Sequence, residues 1–408
     1  MSRDKNFSGQ PVFAQLIRLL DKDRIIEISR NTPSSEVYVK KLDGYIHLII
    51  MLFAVFNHFD SLREIEVGMQ AQANKLAHLG INYLVRRSTL SDANKRRPEE
   101  FFAQVYADLY AKYRHILADS YLDSRGKSNC KNLYLLDSTT IKLFSNLLKG
   151  VGRTPKNGKR KGGLKLHSLE EYSQGVPMMV QLTPAAKHDV YILKDIHLPE
   201  DSTIAMDRAY IDYAQLQRLT EEGVCYVTKM KKNLKYDIES SVIYMNNQGL
   251  ATHKDERIVF RKGELEHKSR RVELWFNTQN KSVVLLTNNF ELTVEEIAEI
   301  YKRRWAIEML YKQLKQNFQL HFFFGDNENA IKIQAWVVLI ANLLCTIMQC
   351  KIKRRHAFSQ IVSMIRITLM HYVNFIAFME NPNKTWNEIQ EIKPIKPPSK
   401  AVQFSFAF

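Results

Sequence analysis

Three acidic residues in this chain sit where metal chemistry could be done. Asp137 closes the apolar run Leu133-Tyr134-Leu135-Leu136, and Asp207 directly follows Thr203-Ile204-Ala205-Met206. Both runs read as buried strands, and strand ends in α/β sheets point side chains into the crevice where ligands bind. Two carboxylates placed there repel each other and call for a cation. Oxygen donors without a histidine or thiol beside them favour Mg²⁺ or Mn²⁺ over zinc. The third acid, Glu308, shares a helical stretch with Tyr301, Arg304 and Lys315. At about 100° per residue these four fall within roughly 60° of one another on the helix wall. The stripe is about 20 Å long at ~1.5 Å per residue. A solvated helix also carries Glu and Lys, but tyrosine and arginine before the acid and lysine after it suit a helix that completes a metal site and holds phosphates.

These residues need a scaffold, and the pattern supplies a mixed α/β one. Residues 1–125 read as entirely helical, with Phe13, Leu16, Ile17 and Leu20 at helical spacing. Within them the segment 86–97 reads as a short helix capped by Ser88, with Pro98 opening the next helix. Its basic residues, Arg96 and Arg97 among them, suit either a DNA-contacting helix or a solvated helix end. From residue 131 strands take over: 133–137, continued by 141–144, then 164–169 with one buried face, 176–182 and 203–206. A helix over 209–219 and a strand over 223–228 follow. Strands first, then strands alternating with helices, indicate a mixed sheet in which residues 126–229 form the first part of a catalytic core. Residues 230–290 form a β-rich insertion. A long helix starts at Thr293, whose pairing with Glu296 is a capping box, and residues 291–385 complete the core with apolar helices. The basic, proline-bearing tail 386–408 reads as flexible.

Bulk composition agrees. A length of 408 residues calls for two or more domains, and 45% hydrophobic residues can fill their cores. Lys and Arg number 59 against 43 Asp and Glu, a net charge of +16 that favours a polyanionic partner or serves solubility. The four cysteines lack zinc or disulfide spacing and read as buried, reduced thiols. The apolar runs 45–56 and 335–348 are shorter than the ~20 residues of a spanning helix, so they read as buried helices. The N-terminus shows no signal-peptide pattern, so a cytoplasmic protein without a membrane partner is expected.

Asp137 in Leu-Leu-Asp-Ser-Thr-Thr, Asp207 in Met-Asp-Arg-Ala-Tyr, and Tyr301-x2-Arg304-x3-Glu308-x6-Lys315 resemble the DDE transposases of the insertion sequence four group. The Tyr-Arg-Glu-Lys spacing matches at all four positions, and the order of acids and insert matches over residues 131–318. The one departure is Ala209, where the group more often shows glycine or another small residue. The resemblance implies a ribonuclease-H-like α/β sheet with flanking helices, two Mg²⁺ ions for which Mn²⁺ can substitute, and cut-and-paste movement of an element with terminal inverted repeats. Its implied partners are double-stranded DNA at the element ends and in the target, with a homodimer in the synaptic complex and the nucleoid as place of action. Two metals about 3.5–4 Å apart would activate a water and stabilise the leaving 3′ oxygen. Arg304 and Lys315 would bind flanking phosphates, and the helical N-terminus resembles a DNA-binding region.

Weaker candidates keep two readings each. Arg208 is a phosphate contact or a salt-bridge partner of the acids. Lys159, Arg160 and Lys161 lie in a glycine-rich basic loop that binds DNA backbone or is simply solvated; its spacing excludes a P-loop. His167 and His188 read as structural histidines. Trp275 stacks on a flipped base, as an insert tryptophan does in related transposases, or belongs to the core. Two rival functions remain at this stage: a nuclease on the same core without strand transfer, and a transposase-derived repressor, against which three intact acids speak.

Overall fold

The computed structural model describes residues 8–125, 132–142, 163–276, 281–318, 320 and 322–384. The described residues open with seven α-helices: α1 (Val12–Ile17), α2 (Lys22–Asn31), α3 (Gly44–Asn57), α4 (Leu62–Ala71), α5 (Ala73–Leu76), α6 (Arg87–Arg96) and α7 (Glu99–Arg125). Aspartate and serine caps start several of them; Asp43, for example, accepts from the Ile46 amide at 2.7 Å. Helix α3 is buried on nearly every side, as a helix apolar all round must be.

Four strands come next: β1 (Leu133–Lys142), β2 (Gly163–Glu171), β3 (Pro177–Pro184) and β4 (Thr203–Met206). Helix α8 (Tyr213–Glu221) leads into β5 (Cys225–Lys229), and then β6 (Asp237–Met245), β7 (Ala251–Lys262), β8 (Leu265–Phe276) and β9 (Lys281–Thr287). All nine join one sheet in the order β3-β2-β1-β4-β5-β9-β8-β7-β6. β1 to β3 form an antiparallel meander, while β4 and β5 add on parallel to β1. That meander followed by two parallel strands is the ribonuclease-H-like arrangement expected. The insertion is β-rich, and it extends the same sheet: β9 pairs antiparallel with the edge of β5.

The chain ends in α9 (Val294–Arg303), α10 (Trp305–Asn317), α11 (Glu328–Lys351), α12 (Phe358–Thr368) and α13 (Phe375–Glu380). Alternation along the strands sends Leu135, Ala205, Val227 and Leu285 to one face, where they share a core with helices from both ends of the chain. Leu136, Met206 and Leu286 face the other way and meet α8 through Leu216 and Leu219. The helices before β1 are thus not a separate body, because α11 packs against α3 and α7. Helix α11 has the length and hydropathy of a membrane span, but 94% of its apolar window is buried by the rest of the protein. It is the core helix.

Several expectations need correction. Ser88 does not cap α6; Arg86 occupies that position, and the Glu66 carboxylate accepts from the Arg87 amide at 3.1 Å instead. β2 is buried on both faces, not one, because helices cover both sides of the sheet there. The single helix expected from Thr293 is two. Its capping box is present, but the ladder breaks at Arg304, where amide bonds reach back three residues (Arg304 N to Tyr301 O, Ile307 N to Arg304 O). Of the described cysteines, Cys345 is buried, whereas Cys225 and Cys350 are only half-buried, and Cys130 lies outside the described residues.

Candidate active site

β1 and β4 run parallel with Leu133 opposite Thr203 and Leu136 opposite Met206. The next residue on each strand is an acid, so Asp137 and Asp207 follow where the parallel pairing stops. Asp137 lies within β1, opposite Ser168 of β2, not at the strand end. Asp207 leaves β4 and caps a short 3₁₀ turn, accepting from the Ala209 amide at 3.2 Å.

Helix α10 brings the third acid. The Tyr311 hydroxyl donates to the Asp137 carbonyl at 2.7 Å, and Lys315 Nζ donates to Thr139 Oγ1 at 2.6 Å, fastening the helix along β1. Arg304, at the helix break, then reaches both acids: Nη1 to Asp137 Oδ2 and Nη2 to Glu308 Oε1, each 2.6 Å. Its guanidinium also lies 5.5 Å from the Tyr301 ring centroid, a cation–π distance. Asp137, Asp207, Arg304, Glu308, Tyr311 and Lys315 all line one open cleft of about 520 Å³.

The electrostatics show a site short of positive charge. Burial pushes the Asp137 carboxyl up to about 6, and the nearby Asp207 and Glu308 add to the rise against the opposing pull of Arg304 and the Ser138 amide. Burial works against the charge on Arg304, yet Asp137, Tyr301 and Glu308 hold its guanidinium above its ordinary value. Arg304 acts as an internal cation between two acids. Among the described residues no three His, Cys, Asp or Glu side chains stand together as a metal cage, and Arg304 bridges Asp137 and Glu308. The donor set still fits a hard divalent cation: three carboxylates converge on one cleft, with no histidine or thiol lining it among the described residues.

The other expected residues divide. Arg208 is exposed, makes no ion pair among the described residues, and so does not neutralise the acids. Arg96 is exposed at the end of α6. Arg97 is not: it is 2% exposed, with Nη1 bonded to His47 Nδ1 at 2.8 Å and Nη2 to the Leu42 carbonyl at 2.9 Å. It cannot reach a DNA groove, because the turn after α6 folds it under α3. Trp275, half-buried on β8 opposite Ser282, lies beyond the same edge of the sheet as the acids but on the face opposite α10. Lys159, Arg160 and Lys161 lie outside the described residues. His167 is buried, its ring nitrogens bonded to the Tyr210 hydroxyl at 3.1 Å and Thr183 Oγ1 at 2.9 Å.

Sequence reasoning missed Tyr311 and Trp305. Tyr311 had a signal, being three residues past Glu308 and therefore on the same flank of the helix. Trp305 is 61% exposed beside Arg304, with Met309 exposed one turn on; nothing but burial reveals that.

Comparisons with known proteins identify the family. The family described as transposase DDE domain matches residues 128–344, more than half of the chain, and a domain family of unknown function matches residues 8–82. A putative transposase, y4zB, of Sinorhizobium fredii is 28% identical over 263 residues, covering 63% of this chain and 70% of that protein. A putative transposase of insertion sequence element IS4SA from a Synechocystis species is likewise 28% identical, with the same coverage of each chain. A probable transposase of element IS5377 from Geobacillus stearothermophilus is 27% identical, and the chain spans 56% of its length. Among solved structures, a piggyBac transposase synaptic complex with hairpin DNA aligns over 98% of this chain and 88% of its own at 10% identity, with a TM-score of 0.44, too loose a likeness to carry weight. With Asp137 and Asp207 side by side where the parallel β1–β4 pairing stops, Glu308 delivered by α10, and the family match spanning all three, the chain belongs to the DDE transposases, enzymes that cut DNA and transfer its strands with divalent metal ions.

Proposed function

We propose that the chain moves an insertion element by cut and paste, cleaving at terminal inverted repeats and joining the freed ends to target DNA as a homodimer, in the cytoplasm at the nucleoid. The observation that carries this reading is the convergence of Asp137, Asp207 and Glu308 on one cleft beside cations spaced along α10. The three carboxylates would hold two Mg²⁺ ions, with Mn²⁺ as a substitute. When bound, such ions activate the attacking oxygen and stabilise the leaving 3′ oxygen.

The chain's own residues do the rest. Tyr311 and the Ser138 amide fix Asp137, so its orientation does not depend on the ligand. Arg304 exchanges its carboxylate partners for a phosphate oxygen when DNA and metal enter, and Lys315 and Lys312 hold the backbone along α10. Exposed Trp305 offers a flat apolar surface for a base next to the cleft. Arg96 and Arg208, exposed and without ion pairs among the described residues, contact phosphates farther out. Lys159, Arg160 and Lys161 are proposed as further contacts to the DNA backbone, and Trp275 as a stacking partner for a base. Residues 1–125 serve as the DNA-binding region.

The test uses the inverted repeats flanking the gene as substrate with purified protein. Mg²⁺-dependent cleavage followed by strand-transfer product is expected, and EDTA abolishes both. Cleavage without any joined product would favour a plain nuclease, and activity in EDTA would reject the metal site.

A further inference from the structure

A second pocket lies in the N-terminal helical layer and shares no residue with the catalytic cleft. It encloses about 490 Å³, within the size range of ligand sites, and is walled by the loop before α3, the segment 83–86 and one flank of α6. Five cations line it and no acid does, among the described residues. Arg86 is taken by Glu66 at 3.0 Å, but Lys40, Lys41 and Arg96 make no ion pair there.

Its interior is suited to more than a phosphate. Val39, Leu42 and Leu84 give apolar walls, and the Tyr38 ring stands at the mouth, 87% exposed. Tyr38 holds φ at 58° and Ser34, also in the lining, at 65°. A bulky residue in the left-handed region is strained, and such strain concentrates at ligand sites. At the floor, Arg97 is 2% exposed and its Nε has no hydrogen-bond partner; the Tyr83 hydroxyl is likewise buried and unpartnered. A buried donor without a partner is costly, so its retention in a pocket points to a polar ligand that completes it.

We infer that this pocket takes one unpaired nucleotide of a DNA strand, with the base against Tyr38 and the apolar walls, a base-edge acceptor toward Arg97 Nε, and the flanking phosphates on Lys40, Lys41 and Arg96. The polymer's identity rests on the DNA reading above; the pocket's chemistry does not. A paired base would first have to leave its stack, at a cost of about a few kcal/mol, so the pocket favours single-stranded or extrahelical positions.

The experiment measures fluorescence anisotropy of a labelled single-stranded oligothymidylate and of a blunt duplex with the full-length protein. Tyr38→Ala is expected to weaken single-strand binding about tenfold, the loss of one stacked base, and to leave duplex binding unchanged. Ala93→Trp, which fills the pocket from α6, has the same effect, with circular dichroism confirming that the variant is folded. Lys40→Ala with Lys41→Ala lowers the salt slope of single-strand binding by about 1.4, two contacts at about 0.7 each. Parent-like single-strand affinity in both Tyr38→Ala and Ala93→Trp overturns the inference, as does equal loss on duplex and single strand. Glu308→Gln separates the two claims: it should lose cleavage and keep the Tyr38-dependent signal. If the parent protein cuts no DNA while that signal persists, the proposed function fails and the pocket stands.

Discussion

Arg304→Ala removes the cation between Asp137 and Glu308. The parent side chain is 11% exposed and makes two 2.6 Å charge-assisted bonds, to carboxylates whose side chains are 14% and 33% exposed. A hydrogen bond to a charged group contributes about 1.5–3 kcal/mol. The Glu308 bond is discounted because its carboxylate reaches solvent, and Asp137 can escape part of its penalty by taking up a proton. A net loss of about 2–3 kcal/mol in metal-free protein follows, or about 4–6 °C in Tm at roughly 2 °C per kcal/mol. The sign with pH is fixed by Asp137, already raised to about 6 from an ordinary value of 3.8. A carboxyl raised in the folded state costs stability as pH climbs through that window, and removing Arg304 raises it further. The deficit of the variant should therefore grow from pH 5 to pH 8. Divalent cation should reverse it: saturation at 100 times Kd contributes about 2.7 kcal/mol, and the variant has no competing guanidinium. Differential scanning fluorimetry of parent and variant in EDTA and in Mg²⁺ at three pH values measures all of this. A variant that melts with the parent in EDTA, or gains no more from Mg²⁺ than the parent does, refutes Arg304 as the internal cation.

Other outcomes follow from the same structure. Replacing Lys315 with Ala should lower the salt slope of DNA binding by about one unit, as a single phosphate contact would; an unchanged slope would make its role structural, as in its bond to Thr139. His47, fully buried, is lowered to about 3 by burial and by Arg97, so it must take up a proton on unfolding. Its contribution is present above pH 6.5 and is lost as pH falls toward 3, at up to about 1.4 kcal/mol per pH unit; urea midpoints of His47→Gln should be flatter over pH 6.5–4. A Cβ on Gly44 would stand 2.7 Å from Ser29 Cβ and 2.9 Å from Phe101 Cζ, so Gly44→Ala should cost about 1–3 kcal/mol by urea denaturation.

The two aspartates were legible because each ends an apolar run that becomes β1 or β4, and Glu308 because its partners share a helical stripe. The break at Arg304 was not, since nothing in Lys302-Arg303-Arg304-Trp305 resembles a helix stop; the tertiary bond to Asp137 accompanies it. Within the β-rich insertion β6 carries no strand signal of its own, because this edge strand is exposed on both faces and lacks the alternation that marks a half-buried strand. Arg97 misled because a basic run gives no hint which member turns inward; only its bonds to His47 and Leu42 do. The sharing of one core by helices from both ends is a long-range fact that periodicity cannot carry.

The most direct measurement is cleavage of the element's own ends in Mg²⁺ by Asp137→Ala, Asp207→Ala and Glu308→Ala, with end binding followed by gel shift on the same preparations. Three metal ligands predict cleavage lost in each variant and end binding largely kept. Full cleavage by any one of them would remove that residue from the site, and loss of binding together with cleavage would make it a DNA anchor or a structural residue instead.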